Sequence, residues 1–241
     1  MFISIKHLHG NMGVDEEIAR FFVDRKIPSG NAFWENRRLY ITRGNGYLSI
    51  PVYYDLLFRI GVSKQYLLEE SHVVLMEQIM HFAIQVEFKQ ISFQAQLEQI
   101  SKLFEGGIKN PDFYHELLDY LRQPLLKPMG KLGMKEAALN RADVFLFILC
   151  DLSLGKRETE RAVQFWYALH TTYLLMDDIY DYRLDKQNLE ENAIIELGDG
   201  KEGSIKAFDI LHANAGLLEE INPLLSSFFE SEFRDLKNLT P

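Results

Sequence analysis

The chain has 241 residues, enough to bury one sizeable core, and an ordinary globular composition of 47% hydrophobic, 25% charged and 12% aromatic residues. Its net charge of −9, with no long basic stripe, argues against nucleic acid as a general partner. Cys150 is the single cysteine, which excludes an internal disulfide and zinc sites built on cysteine pairs, and no apolar run is long enough to be a transmembrane segment. A reducing, cytoplasmic setting is the expectation, and no basic-then-apolar targeting segment is visible.

In chain order, residues 14–25 carry helical periodicity with acids in the first turn. Segment 26–50 is expected to be irregular and then to form a small β-hairpin. Residues 39–42 and 47–50 would be its arms, around the turn Arg43-Gly44-Asn45-Gly46. From Pro51 onward the pattern is helical, over 51–60, 63–88 with Ser63 as cap, 92–104 after Ser92, and 110–122 opened by Asn110-Pro111. Pro124, Pro128, Gly130 and Gly133 place an internal break near 124–133 within a single helical domain of residues 1–241. Helices follow at 134–153, 158–183, 203–219 and 223–236. The fold class is all-α, with the hairpin as a minor element near the start.

The most informative stretch is His170 to Asp181, which ends in Asp177-Asp178-Ile179-Tyr180-Asp181. Its surroundings, including Val163, Phe165, Trp166, Leu169, Leu174, Leu175 and Ile179, are apolar on nearly every side, the mark of a core helix. Carboxylates in such a place need compensation, and a divalent cation with oxygen ligands supplies it. At 100° per residue Asp177 and Asp181 lie about 40° apart, Asp178 about 100° from Asp177, and Asp185 about 80° from Asp177. Four like charges on one side of a helix repel, and metal ions could hold a diphosphate against such a wall. The plainer reading is the solvated end of a core helix, with Arg183 and Lys186 as local partners.

These residues resemble the class I isoprenoid synthases, in particular the trans-prenyl diphosphate synthases. The family's first aspartate motif reads roughly His-Thr-x-x-Leu-Leu-x-Asp-Asp-x-x-Asp. His170, Thr171, Leu174, Leu175, Asp177, Asp178 and Asp181 match it in register. Gly133-Met134-Lys135 stands near the family's upstream glycine-lysine element, and the run from Ala193 to Asp199 is similar to its Ala-Ile-Leu-x-Gly-Asp segment. The resemblance implies a helical bundle whose aspartates face a central cavity. Asp177, Asp178 and Asp181, with Asp185 as an additional acid, would hold Mg²⁺ and an allylic prenyl diphosphate. Phe165, His170, Tyr173 and Tyr180 are candidates to line the pocket, although core packing explains the aromatic rings as well, and the plainer reading of His170 is a core histidine bonded to a backbone carbonyl. Lys127, Lys131 and Lys135, spaced by four, and Arg183 are candidates to meet the diphosphate. A solvated lysine face accounts for the three lysines equally.

The chain departs from the family at several points. Arg183 stands alone where prenyl synthases carry two arginines, and no second Asp-Asp-x-x-Asp occurs. Asn222, Ser226 and Glu230 match the terpene-cyclase metal motif by letter, but they follow too soon, and Asn222-Pro223 is a routine helix start. Glu69, Glu70 and Glu77 are the only suggestive acids upstream, and an exposed helix edge explains them better. Three readings follow: a Mg²⁺-dependent prenyl transferase or terpene cyclase; a non-catalytic relative or subunit, in a homo- or hetero-oligomer; and a helical nucleotide pyrophosphatase drawing on Glu16-Glu17 and Glu69-Glu70. No His-Glu-x-x-His or Gly-x-Ser-x-Gly pattern occurs, and Cys150 has no identifiable base, so hydrolysis by zinc or by a nucleophile is without support.

Overall fold

The structure, a computed structural model, describes residues 4–26, 29–31, 48–123 and 126–238. Among these the fold is all-α. A π-helical turn at Lys6–Asn11 precedes α1 (Glu16–Asp24), α2 (Ser49–Arg59), α3 (Lys64–Leu67), α4 (Glu70–Glu87), α5 (Phe93–Leu103) and α6 (Pro111–Leu121). Two 3₁₀ segments, Ala137–Asn140 and Asp143–Asp151, lead into the 33-residue α7 (Lys156–Asn188). The chain ends in α8 (Ala193–Glu196), α9 (Gly200–Glu219) and α10 (Pro223–Leu236). No helix among the described residues is long and apolar enough to cross a membrane.

Most of the expected hairpin falls on 32–47, outside the described residues. Its last arm is corrected: Leu48 precedes α2, and Ser49 and Ile50 form the helix's first turn. Pro51 therefore sits at the third helical position, where its missing N–H is one of the orphan donors and nothing is lost. The single helix expected over 63–88 is two, because Glu69 turns to an extended conformation between α3 and α4. Arg25 holds that corner, donating to both oxygens of Glu70 (2.9 and 3.0 Å) and to Glu77.

The helix expected over 134–153 is replaced by the two 3₁₀ segments. Asn140 interrupts it by taking the Met134 N–H on its side-chain oxygen (2.6 Å) and donating back to the Met134 carbonyl (2.9 Å). Residues Asp143 to Cys150 are all buried. With three residues per turn their side chains form three straight ridges, so one segment can serve three neighbours. Phe145 stacks on Trp166 of α7, with ring centroids 5.1 Å apart, while Phe147 meets Tyr114 of α6 at 5.8 Å. The α4 helix packs against the same segment, and the Cys150 carbonyl accepts from the Lys109 and Asn110 amides ahead of α6. Cys150 itself is a buried thiol whose pKa burial pushes up, so it stays protonated and packs as a small hydrophobe.

The spine of the molecule is α7, about 50 Å long at 1.5 Å per residue. Trp166 anchors it to α2, edge-on to Tyr53, whose hydroxyl donates to the Ala162 carbonyl (3.0 Å). Asn214 of α9 ties the other side, donating to the hydroxyls of Thr171 (2.8 Å) and Thr172 (3.2 Å). The α8 turn sits so close to α9 that a Cβ on Gly203 would lie 2.1 Å from the Ile194 carbonyl oxygen. Gly203→Ala must push α8 off α9, and a loss of about 1–3 kcal/mol is expected in denaturant unfolding, with m unchanged.

Candidate functional site

The four aspartates of α7 do not share one environment. Asp177 and Asp181 are exposed, the Asp177 side chain by 54%, while Asp178 and Asp185 face inward. The boundary between core and solvent runs along the helix between Asp177 and Asp178, which the 100° step places on different sides. Asp178 is 2% exposed, and its oxygens are taken. Arg141 donates to Oδ1 at 2.8 Å, and the Ala193 amide to Oδ2 at 2.7 Å. Asn192 completes the knot, donating to the Asp178 carbonyl (2.8 Å) and to Asp185 (3.0 Å) while capping α8.

Electrostatics follow from this layout. Desolvation pushes the Asp177 carboxyl up to about 6; Arg141, 3.9 Å away, opposes the rise and the neighbouring aspartates add to it. Burial likewise raises Asp178, against the pull of Arg141. The crowding expected of like charges is thus present. What stands opposite the inner carboxylate is a guanidinium and a backbone amide, not a second acidic helix.

Mg²⁺ would need free carboxylate oxygens turned to a common point. Of the inner two, Asp178 has given both of its oxygens to donors and Asp185 accepts from Asn192; the outer two project from the exposed face, and Arg141 holds a positive charge where a cation would have to sit. The residues as arranged do not fit the ion. Among the described residues no three His, Cys, Asp or Glu side chains converge closely enough to hold a metal.

The remaining predicted residues are dispersed. Phe165 and His170 are buried in the core, Tyr173 packs edge-on to Phe229, and Tyr180 is 57% exposed. His170 stacks on Trp166 at 4.5 Å, and neither ring nitrogen has a partner among the described residues. The backbone-bonded core histidine of the plainer reading is therefore corrected to a stacked, neutral ring, its pKa lowered to about 3 by burial and then by Arg141. Lys127, Lys131 and Lys135 are exposed on a non-helical stretch around the Met129–Leu132 bridge, so their spacing by four defines no face. Arg183 is exposed, and Lys186 pairs with Asp199 and Tyr182 rather than with the motif.

The upstream acids are also engaged. Glu77 is buried against Arg25, which corrects its reading as an exposed helix edge. Glu70 shares that arginine, Glu16 pairs with Arg20, and Glu17 with Lys64. Asn222 caps α10 through the Leu225 amide (3.1 Å), and Glu230 meets His212.

Sequence reasoning missed Arg141 and Asp143. Asp143 is fully enclosed, accepting from Tyr120 (2.7 Å), Tyr167 (2.8 Å) and the Trp166 indole (3.2 Å). Burial, opposed by those three donors, pushes its carboxyl up to about 7. The available signal was a charged pair, Arg141 and Asp143, at the mouth of an apolar run. No protein-family model, curated protein or solved structure matches the chain.

Proposed function

We propose that the chain is a non-catalytic relative of the class I isoprenoid synthases, in which the aspartate-bearing helix has been turned to structural use. The observation that carries this reading is the double engagement of Asp178 by Arg141 and by the Ala193 amide. The segment beginning at Ala193, which resembles the family's downstream element, meets the aspartate motif in space through that bond. It does so as a latch. A guanidinium replaces the ion, and one positive charge at a 2% exposed carboxylate satisfies the core without a cofactor. Among the described residues, Glu16, Glu17, Glu70 and Glu77 each hold a basic partner.

Titration calorimetry with Mg²⁺ and farnesyl diphosphate tests this, on the intact protein and on Asp177→Ala. No Mg²⁺-dependent heat is expected from either. A Mg²⁺-dependent heat that Asp177→Ala abolishes would return the chain to the metal-dependent synthases. Heat with nucleoside triphosphates but none with prenyl diphosphates would point instead to the pyrophosphatase reading.

A further inference from the structure

A second place on α7 carries chemistry that the aspartate motif does not use. At the opposite half of the helix, a groove of about 510 Å³ runs between α7, α9 and the 131–134 turn. Three cations line it: Lys131, Arg157 and Arg161. Glu160 is the one acid, which leaves the lining at a net charge of +2 (three minus one) on a protein of net charge −9. Among the described residues none of the three cations makes an ion pair; Arg161 only lies over the Phe165 ring, 5.7 Å from its centroid. Arg157 and Arg161 stand four residues apart on one helix face, where like charges repel. Arg157 also falls in the first turn, at the positive end of the helix. This arrangement disfavours the helix and suits an anion.

The rim is rigid. Lys131 sits in a tight turn closed by reciprocal hydrogen bonds between Met129 and Leu132 (2.8 and 2.9 Å). That turn is fastened to α7 by the Gly133 amide, which donates to the Tyr167 hydroxyl at 2.6 Å, and the hydroxyl is itself held by Asp143. Asn140 fixes Met134 from behind. Met134, Val163 and Leu217 give the groove an apolar wall. Its volume is within the range of small-molecule sites.

We propose that this groove binds a small organic phosphate, its dianionic group met by Lys131, Arg157 and Arg161 and its apolar body laid against Met134, Val163 and Leu217. The charge decides the class: a phosphate monoester carries about −1.5 to −2 near neutral pH, matching the lining, whereas a carboxylate carries half of that or little more. The site is independent of Mg²⁺ and of the aspartates.

Calorimetry with phenyl phosphate, inorganic phosphate and benzoate, all without Mg²⁺, tests the assignment. Phenyl phosphate is expected to bind saturably, more tightly than inorganic phosphate and than benzoate. The exposed pair Arg157→Gln/Arg161→Gln should weaken it by at least about tenfold with the melting temperature not lowered. Glu160→Gln should strengthen it, and Asp177→Ala should leave it as it is. Absence of saturable heat at millimolar phenyl phosphate, equal binding by benzoate, or equal binding by the double arginine variant would each overturn the proposal. A response to Asp177→Ala would place the anion at the aspartates instead.

Discussion

Arg141→Ala is expected to lower the stability of the fold by about 3–5 kcal/mol, the usual result when one member of a buried ion pair is removed and the other is left behind. Asp178 would remain 2% exposed with a single amide donor, inside a knot that joins α7 to α8. Asp178→Ala should also destabilise, since the Arg141 side chain, only 16% exposed, would lose its carboxylate at 2.8 Å and keep Asp177 only at 3.9 Å. The double variant should cost clearly less than the two losses summed, because both single changes break the same contact. Denaturant unfolding of the three variants reads this directly. For a chain of this size the single variants should melt roughly 6–20 °C lower. Strict additivity, or losses below about 1 kcal/mol, would mean that the contact is not the latch described.

The second large effect concerns acid and base. Asp143 holds its proton up to about pH 7 in the fold against an ordinary value of 3.8, because burial outweighs its three neutral donors. Between about pH 4 and pH 7 the native state therefore binds more protons at this position than the unfolded chain does. Stability from this group is greatest at the acid end of that window and declines as pH rises through it, by on the order of 4 kcal/mol in total. Asp177, raised to about 6, acts in the same direction but is half exposed and contributes less. His170 acts oppositely: with its pKa lowered to about 3, it costs stability as pH falls from about 6.5. Asp143→Asn removes the titration while keeping an acceptor for the Trp166 indole, and its amide can donate to the tyrosine hydroxyls. Guanidinium unfolding at pH 5, 6, 7 and 8 should give a difference between wild type and variant that shrinks from acid to neutral pH and then levels. Parallel curves would refute the assignment.

The elements that could be read from the sequence were those with local chemistry. Asp15, Ser92 and Asn222 each announce a helix, and each side chain accepts from the amides expected of a cap. Asn110 announces α6 equally well but does something else, donating to Thr159 across the core (2.9 Å). The apolar run after Asp143 was legible as core, yet its 3₁₀ winding was not, because a segment buried on every side has no periodicity to reveal its pitch. The acids of α7 were legible as unusual. Their division into two outside and two inside was not, since it depends on where α8 lies. Arg141 is 37 residues from Asp178, and spacing carries no information about such a partner. The lysines at 127, 131 and 135 show the converse: a helical interval on a chain that is not helical.

The way α7 stops has its own consequence. Leu189, 92% exposed, takes a left-handed backbone (φ 58°), a conformation that costs a side-chain-bearing residue about 1–2 kcal/mol. A leucine with nothing to pack against has no reason of its own to adopt it. The reversal is imposed from both sides of the corner, by the carbonyl of Asp185 that gathers the amides of Leu189 and Glu190, and by Asn192 beyond it. The path of the last fifty residues is thus steered by polar groups around the bend rather than by the residue at its apex, and that apex is a place where glycine would give the protein stability it presently forgoes.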